Sequence, residues 1–345
     1  MFREAAEAPD AVRVQIESNL ELMSELGEML RSLAPRAVVT FARGSSDNAA
    51  TFARYLIETR TGVLTSSAAL SVSSVYTARR DLSGVVVLAI SQSGASPDLL
   101  ASVRTAREAG ARVIALVNVT GSPLAQLAHH VVPLRAGSER SVAATKSFIT
   151  SLAAIAHLVA AWTNDDPLLA GLLGAPEQLA AAWALDWSEV AERLRDVQDL
   201  YVIGRGLGLC VAQEAALKLK ETCGMHAESF SAAEVRHGPV ALVRPGFPVL
   251  LFRQSDETRS GIEALAAELA GQGADVTIAG PSSSAGGITS GNDARVLELP
   301  AVSSHPAIEP MLLIQAFYRV ANALALARGC DPDHPPRLRK VTETV

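Results

Sequence analysis

The residues with the clearest chemical potential form one run, Glu214-Ala215-Ala216-Leu217-Lys218-Leu219-Lys220-Glu221. On a helix, Glu214, Lys218 and Glu221 are four and three residues apart and share a face. Two readings are open. The run is a solvated ladder of ion pairs, or its apolar neighbours Ala215, Ala216, Leu217 and Leu219 desolvate a carboxylate that moves a proton near neutral pH. The turn before it, Gly204-Arg205-Gly206-Leu207-Gly208, favours the second by starting the helix at the carboxyl edge of a sheet. That turn is no dinucleotide fingerprint, because its third glycine comes too early for G-x-G-x-x-G. His226 and Glu228 follow, then Glu234-Val235-Arg236-His237-Gly238-Pro239. A histidine ahead of Gly-Pro belongs on a loop, where its ring either faces a ligand or has no role.

A second constellation is Ser91-Gln92-Ser93-Gly94-Ala95-Ser96, between the apolar run 85–90 and a helix opening at Pro97. The start of a helix offers free N–H groups and a partial positive charge, which suits a phosphate. The plain alternative is a Ser-rich N-cap. Gly44-Ser45-Ser46 repeats the arrangement after the run 37–41, and both loops would open where parallel sheets bind ligands. The corresponding place in the second half reads Arg253-Gln254-Ser255-Asp256-Glu257, whose acids would repel a phosphate. The expectation is one phosphate site, in the first half, with catalytic groups from the second. His129-His130 is given no role.

These groups need elements to hold them. Apolar residues at helical spacing predict a helix over 1–34. Strands over 37–41, 85–90, 113–117 and 131–134 then alternate with helices over 47–58, 97–109 and 142–162. The order recurs with strands at 201–203, 249–252, 276–279 and 296–299, and helices at 210–222 and 308–327. Continuous apolar strands alternating with helices mean a parallel sheet covered on both faces. A period of roughly 160 residues means two copies of one αβα unit. The expected class is α/β. An N-terminal helical segment (1–34) precedes a first domain (35–165), a helical linker (166–195), a second domain (196–329) and an extended tail (330–345).

With 345 residues, 49% hydrophobic and only 19% charged, the chain has the composition for two well-filled cores. The net charge of −6, with no basic run, argues against nucleic acid. Cys210, Cys223 and Cys330 fit neither a metal spacing nor a disulfide framework, so they are expected as reduced thiols with no metal bound. No signal peptide or transmembrane helix is expected, which predicts a cytoplasmic protein with no membrane partner.

The motifs SQSGASPD, AGSERSVAATKSF, EAALKLKE, AAEVRHGP and LRKVTETV resemble the isomerase part of glutamine–fructose-6-phosphate amidotransferase. They are closer still to the free-standing SIS (sugar isomerase) glucosamine-6-phosphate deaminases. The resemblance runs from residue 35 to the C-terminus and implies two tandem SIS domains of flavodoxin-like architecture. Because Phe2 stands where the synthase carries its glutaminase nucleophile, this chain is expected to be a deaminase. By resemblance, the sugar phosphate meets Ser91, Gln92, Ser93 and Ser96, with Gly44, Ser45 and Ser46 beside them. Glu221 matches the acid–base between C1 and C2, and His237 the ring-opening histidine that reaches the neighbouring subunit's site in a homodimer. Lys218 matches a lysine near the sugar hydroxyls, Glu214 its partner, and Lys340 the lysine at the open-chain carbonyl. Val142 and Ala143 match backbone lining the sugar. Ala144 departs from the synthase's Ser, and Ser45 from its Thr. No cofactor is implied. The alternatives are a fructosamine-6-phosphate deglycase, a galactosamine-6-phosphate deaminase or a non-catalytic sugar-phosphate regulator.

Overall fold

The computed structural model describes residues 1–78, 80–282 and 296–340. Five parallel strands form a first sheet: β1 (Ala37–Phe41), β2 (Thr65–Ser67), β3 (Val85–Ser91), β4 (Arg112–Val117) and β5 (His130–Pro133). Their order is β2-β1-β3-β4-β5. The second sheet holds β6 (Asp199–Gly204), β7 (His226–Ser231), β8 (Pro248–Phe252), β9 (Asp275–Ala279) and β10 (Val296–Leu299). It runs β10-β9-β8-β6-β7, the same order read from the other side. This is the flavodoxin-like arrangement, with its switch point between the first and third strands of each unit. The duplication inferred from the period is therefore one of topology.

The central strands explain themselves. All seven residues of β3 are buried, because helices cover both faces of the sheet. The helix Pro97–Glu108 packs Leu99, Val103 and Ala106 against Phe41, Val87 and Val113 on one face. The helices Ser45–Thr61 and Lys146–Thr163 belong to the other. The N-terminal helix Ala8–Leu33 packs on Lys146–Thr163, and at Gly27 a Cβ would collide with the Ala161 carbonyl. Buried Gln15 donates to the carbonyls of Leu134 and Thr150, both at 2.9 Å. In the second unit, Arg259–Gly271 covers one face, and Leu209–Cys223 and Glu309–Ala327 pack against each other.

Contacts divide the chain into two compact units. The amino-terminal unit comprises 7–140, 144–176 and 337–345; the carboxy-terminal unit comprises 1–6, 141–143 and 177–336. In the sequence, three helices connect the strands of the first sheet to those of the second after Lys146–Thr163: Asp166–Leu173, Ala175–Ala184 and Ser188–Arg193. Residues 330–340 form no helix or strand. Residues 341–345 of the expected tail, and of its motif, lie outside the described residues. Lys146–Thr163 and Glu309–Ala327 are long and apolar enough to cross a membrane, yet 89% and 72% of their residues are buried inside the fold, which makes them core helices.

Three local readings change. Two edge strands, β2 and β7, arise where no strand was expected. The long helix expected from 142 begins at Lys146, because the buried carboxylate of Glu139 accepts the N–H groups of Thr145 and Ser147 and ends the preceding turn there. The helix expected from 47 begins at Ser45, after Gly44 at a positive φ of 56°.

Candidate active site

In the amino-terminal unit, Thr40 and Phe41 of β1 pair with Leu88 and Ala89 of β3. The loops after both strands therefore leave the sheet side by side at the switch point. The Ser91 hydroxyl oxygen accepts the Gly94 N–H at 3.0 Å and braces its loop. Gly94 has a φ of 64°, and a Cβ there would collide with the Ser122 hydroxyl, so only glycine lets the loop close on its neighbour. Ser96 is in extended conformation at the N-cap of Pro97–Glu108 but makes no capping bond with its side chain. Gln92, Ser93 and Ser96 are half-buried. Their side chains make no hydrogen bond to the described residues. Half-buried donors without internal partners, at the start of a helix, are what an anion would engage.

A cation missed in the sequence stands at this rim. Arg43 places Nε and Nη2 each 2.9 Å from Oδ2 of Asp98, which is buried in the first turn of Pro97–Glu108. The pair ties the Gly44 loop to the Ser91 loop. Its signal was available only as two residues 55 apart that the topology joins.

The corresponding switch point of the carboxy-terminal unit is filled from within. The Gln254 amide lies where a side chain at Gly208 would fall, and donates to the Pro306 carbonyl at 3.0 Å. The fully buried Glu309 carboxylate accepts the Ser255 N–H at 2.7 Å. Arg253 is buried with Glu263 and Glu298 at 3.1 and 3.5 Å. An internal carboxylate already occupies the place an anion would take.

The helix Leu209–Cys223 carries the acid–base candidates. Lys218 is wholly buried, with its ammonium 2.6 Å from Glu221 and 3.3 Å from Glu214. Tyr318, from Glu309–Ala327, donates its hydroxyl to Glu214 at 3.2 Å. Burial alone would push the Lys218 ammonium down, but the two carboxylates overcome it and raise its pKa, so it stays charged. The side chain of Glu214 is sealed, whereas that of Glu221 keeps 22% of its surface exposed. This rules out the solvated ladder. A buried ion cluster is a poor source of stability, because desolvation offsets its Coulombic gain, so its presence argues for a chemical role. Tyr318 was missed because it lies on an apolar helix 104 residues away.

One supporting reason from the sequence is corrected. Glu221 lies twelve residues past the helix start, about 18 Å along its axis at 1.5 Å per residue. A crossover helix runs antiparallel to its strands, so the cluster does not lie at the carboxyl edge of its own sheet. His237 is exposed in a turn after the short helix Ala232–Val235, with no hydrogen bond or ion pair to the cluster. Val142 donates its N–H to the Asp333 carbonyl at 3.1 Å, so that donor is already used, and Ala143 is buried. Lys340 lies in the amino-terminal unit, 3.2 Å from Glu139. His226 and Glu228 are residues of strand β7.

The duplicated flavodoxin-like order defines the class of α/β protein, and comparison identifies the family. The SIS domain model matches residues 34–161 and 193–326, and the chain belongs to that family. Over its whole length it is 38% identical to the isomerizing glutamine–fructose-6-phosphate aminotransferase of Aeropyrum pernix, covering 57% of that protein. The enzyme of the same name from Symbiobacterium thermophilum is 34% identical over 99% of the chain, which covers 58% of it. The chain thus spans somewhat over half the length of these relatives. Among solved structures, a candidate phosphosugar isomerase from Silicibacter pomeroyi DSS-3 superposes with a TM-score of 0.88 at 42% identity, over 96% of this chain and 99% of that one. The C-terminal domain of glucosamine-fructose-6-phosphate aminotransferase from Francisella tularensis gives 0.86 at 27%, over 97% and 98%.

Proposed function

We propose that this chain is an amino-sugar phosphate deaminase and aldose–ketose isomerase, converting glucosamine 6-phosphate and water into fructose 6-phosphate and ammonia. The observation that carries the reading is the buried Glu214–Lys218–Glu221 cluster, in which only Glu221 keeps an open edge. Glu221 takes the proton from C2 of the open-chain sugar and returns it to C1. The amine gives up an N–H proton as the C1 oxygen gains one, so that C1 becomes a hydroxymethyl carbon and C2 an imine, which water hydrolyses to the ketone with loss of ammonia. Lys218 fixes the Glu221 carboxyl group in place, and Glu214, itself bound by Tyr318, orients Lys218. Lys340 contacts the open-chain carbonyl, and His237 opens the ring, acting from the partner protomer of a homodimer. Ser46, Ser91, Gln92, Ser93 and Ser96 hold the phosphate with the N–H groups of the two helix starts beside them.

Several points support the finer assignments. The names of the relatives point to hexose 6-phosphates that carry or receive an amino group. Proton transfer and imine hydrolysis call on neither metal nor organic cofactor, and such an enzyme works in the cytoplasm. The test is ammonia release, without glutamine, over a panel of hexosamine and fructosamine 6-phosphates. Turnover of glucosamine 6-phosphate is expected. Turnover confined to a fructosamine 6-phosphate or to galactosamine 6-phosphate would reassign the substrate, and no turnover with retained binding would favour a regulator.

A further inference from the structure

Glu139 is a wholly buried carboxylate that the chemistry above leaves without a task. Its two oxygens do different things. Oε1 accepts the N–H groups of Thr145 and Ser147, at 3.0 and 3.1 Å, and so caps the core helix Lys146–Thr163. Oε2 accepts the Ser147 hydroxyl at 2.6 Å and the Lys340 ammonium at 3.2 Å. Capping alone needs a single neutral acceptor. A charged group at 0% side-chain exposure is costly, and it is maintained where a cation completes it. The neighbouring cation Lys146 is engaged by Glu7, and the cation paired with Glu139 is Lys340.

Seen from the tail, the contact is equally specific. Residues 336–339 are exposed, and Lys340 is the point at which the segment returns to partial burial. Its side chain keeps 24% of its surface open. One N–H of the ammonium is directed to Glu139, and among the described residues the ammonium has no other partner, which leaves donors for a substrate oxygen. An ammonium on a four-carbon stem has many rotamers, and a fixed carboxylate at the start of a rigid helix selects among them.

We propose that Glu139 is a positioning residue for Lys340, anchoring the C-terminal tail to the core helix so that the ammonium meets the open-chain carbonyl of the sugar. This rests on the role given to Lys340 in the proposed function. It adds a residue 201 positions away whose charge, not its capping, sets the rate.

Glu139→Gln separates the two tasks, because the amide keeps an oxygen for the helix N–H groups and loses the charge facing Lys340. The expected result is an unchanged melting temperature, an unchanged KM and a kcat lower by about 10- to 100-fold, the scale of a misplaced reacting group. Lys340→Met should lower kcat similarly, and the double variant should fall no further. Lys340 should also react faster with an amine-labelling reagent in Glu139→Gln, read by mass spectrometry with no substrate present. Unchanged labelling overturns the proposal whatever the kinetics show, as do additive losses in the double variant. Faster labelling with wild-type kcat in both Glu139→Gln and Lys340→Met overturns instead the catalytic role of Lys340, and with it that part of the proposed function.

Discussion

Glu214 and Glu221 share one ammonium but differ in reach. Glu214 is sealed and held on its far side by Tyr318, while Glu221 keeps an open edge, which fits it to exchange a proton with something outside the protein. Their spacing was legible because a helix places residues three and four apart on one face. Their burial was legible only in part, from the apolar residues beside them, since the seal on Glu214 also depends on Tyr318 from a helix distant in sequence. The same limit hid Arg43–Asp98 and Glu139–Lys340, whose partners only the topology joins. The Ser91 loop, proposed to hold the phosphate, supports a separate prediction. Ser93→Ala should weaken binding of glucosamine 6-phosphate by about 10- to 150-fold, for a lost hydrogen bond to a charged group of roughly 1.5–3 kcal/mol. Binding of unphosphorylated glucosamine should not change. Calorimetry with both sugars checks this, and equal losses for both would move the phosphate elsewhere.

At the level of elements, strands buried on both faces announced themselves as apolar runs, whereas β2 and β7 did not. Thr65-Ser66-Ser67 and His226-Ala227-Glu228-Ser229-Phe230-Ser231 are edge strands with polar, partly exposed side chains, and pairing with β1 and β6, not composition, makes them strands. Both occupy the same place in the duplicated order, so recognising one would have predicted the other. The core helix Lys146–Thr163 has a pH signature of its own. Burial of His157 depresses its pKa from 6.5 to about 4, so the folded state holds the ring neutral while the unfolded chain binds a proton. The stability this confers is full above pH 6.5 and is lost as pH falls towards 4. At about 1.4 kcal/mol per pKa unit the loss is about 3.5 kcal/mol. His157→Leu should flatten the fall in melting temperature between pH 6.5 and 4.5, with other histidines common to both proteins. An unchanged slope would place the acid sensitivity elsewhere.

For the whole molecule, one topology is used twice and its switch points have diverged. The first opens between two hydroxyl-bearing loops; the second is closed by Gln254 and Glu309. Under the proposed function, phosphate recognition falls to the first copy and the acid–base groups to the second. If His237 acts across a homodimer, mixing inactive Glu221→Gln and His237→Ala proteins under conditions that exchange protomers should restore part of the activity. Verified heterodimers with no recovery would confine His237 to its own subunit. The central claim, that Glu221 moves the proton at C2 of an amino-sugar 6-phosphate, is tested most directly by following the C2 hydrogen of glucosamine 6-phosphate by NMR while ammonia is measured. Wild-type protein should remove that hydrogen and release ammonia in step with fructose 6-phosphate. Glu221→Gln should bind the sugar equally well yet do so about 10²- to 10⁴-fold more slowly, the usual contribution of a general base. Glu221→Gln turning over at the wild-type rate would contradict the account.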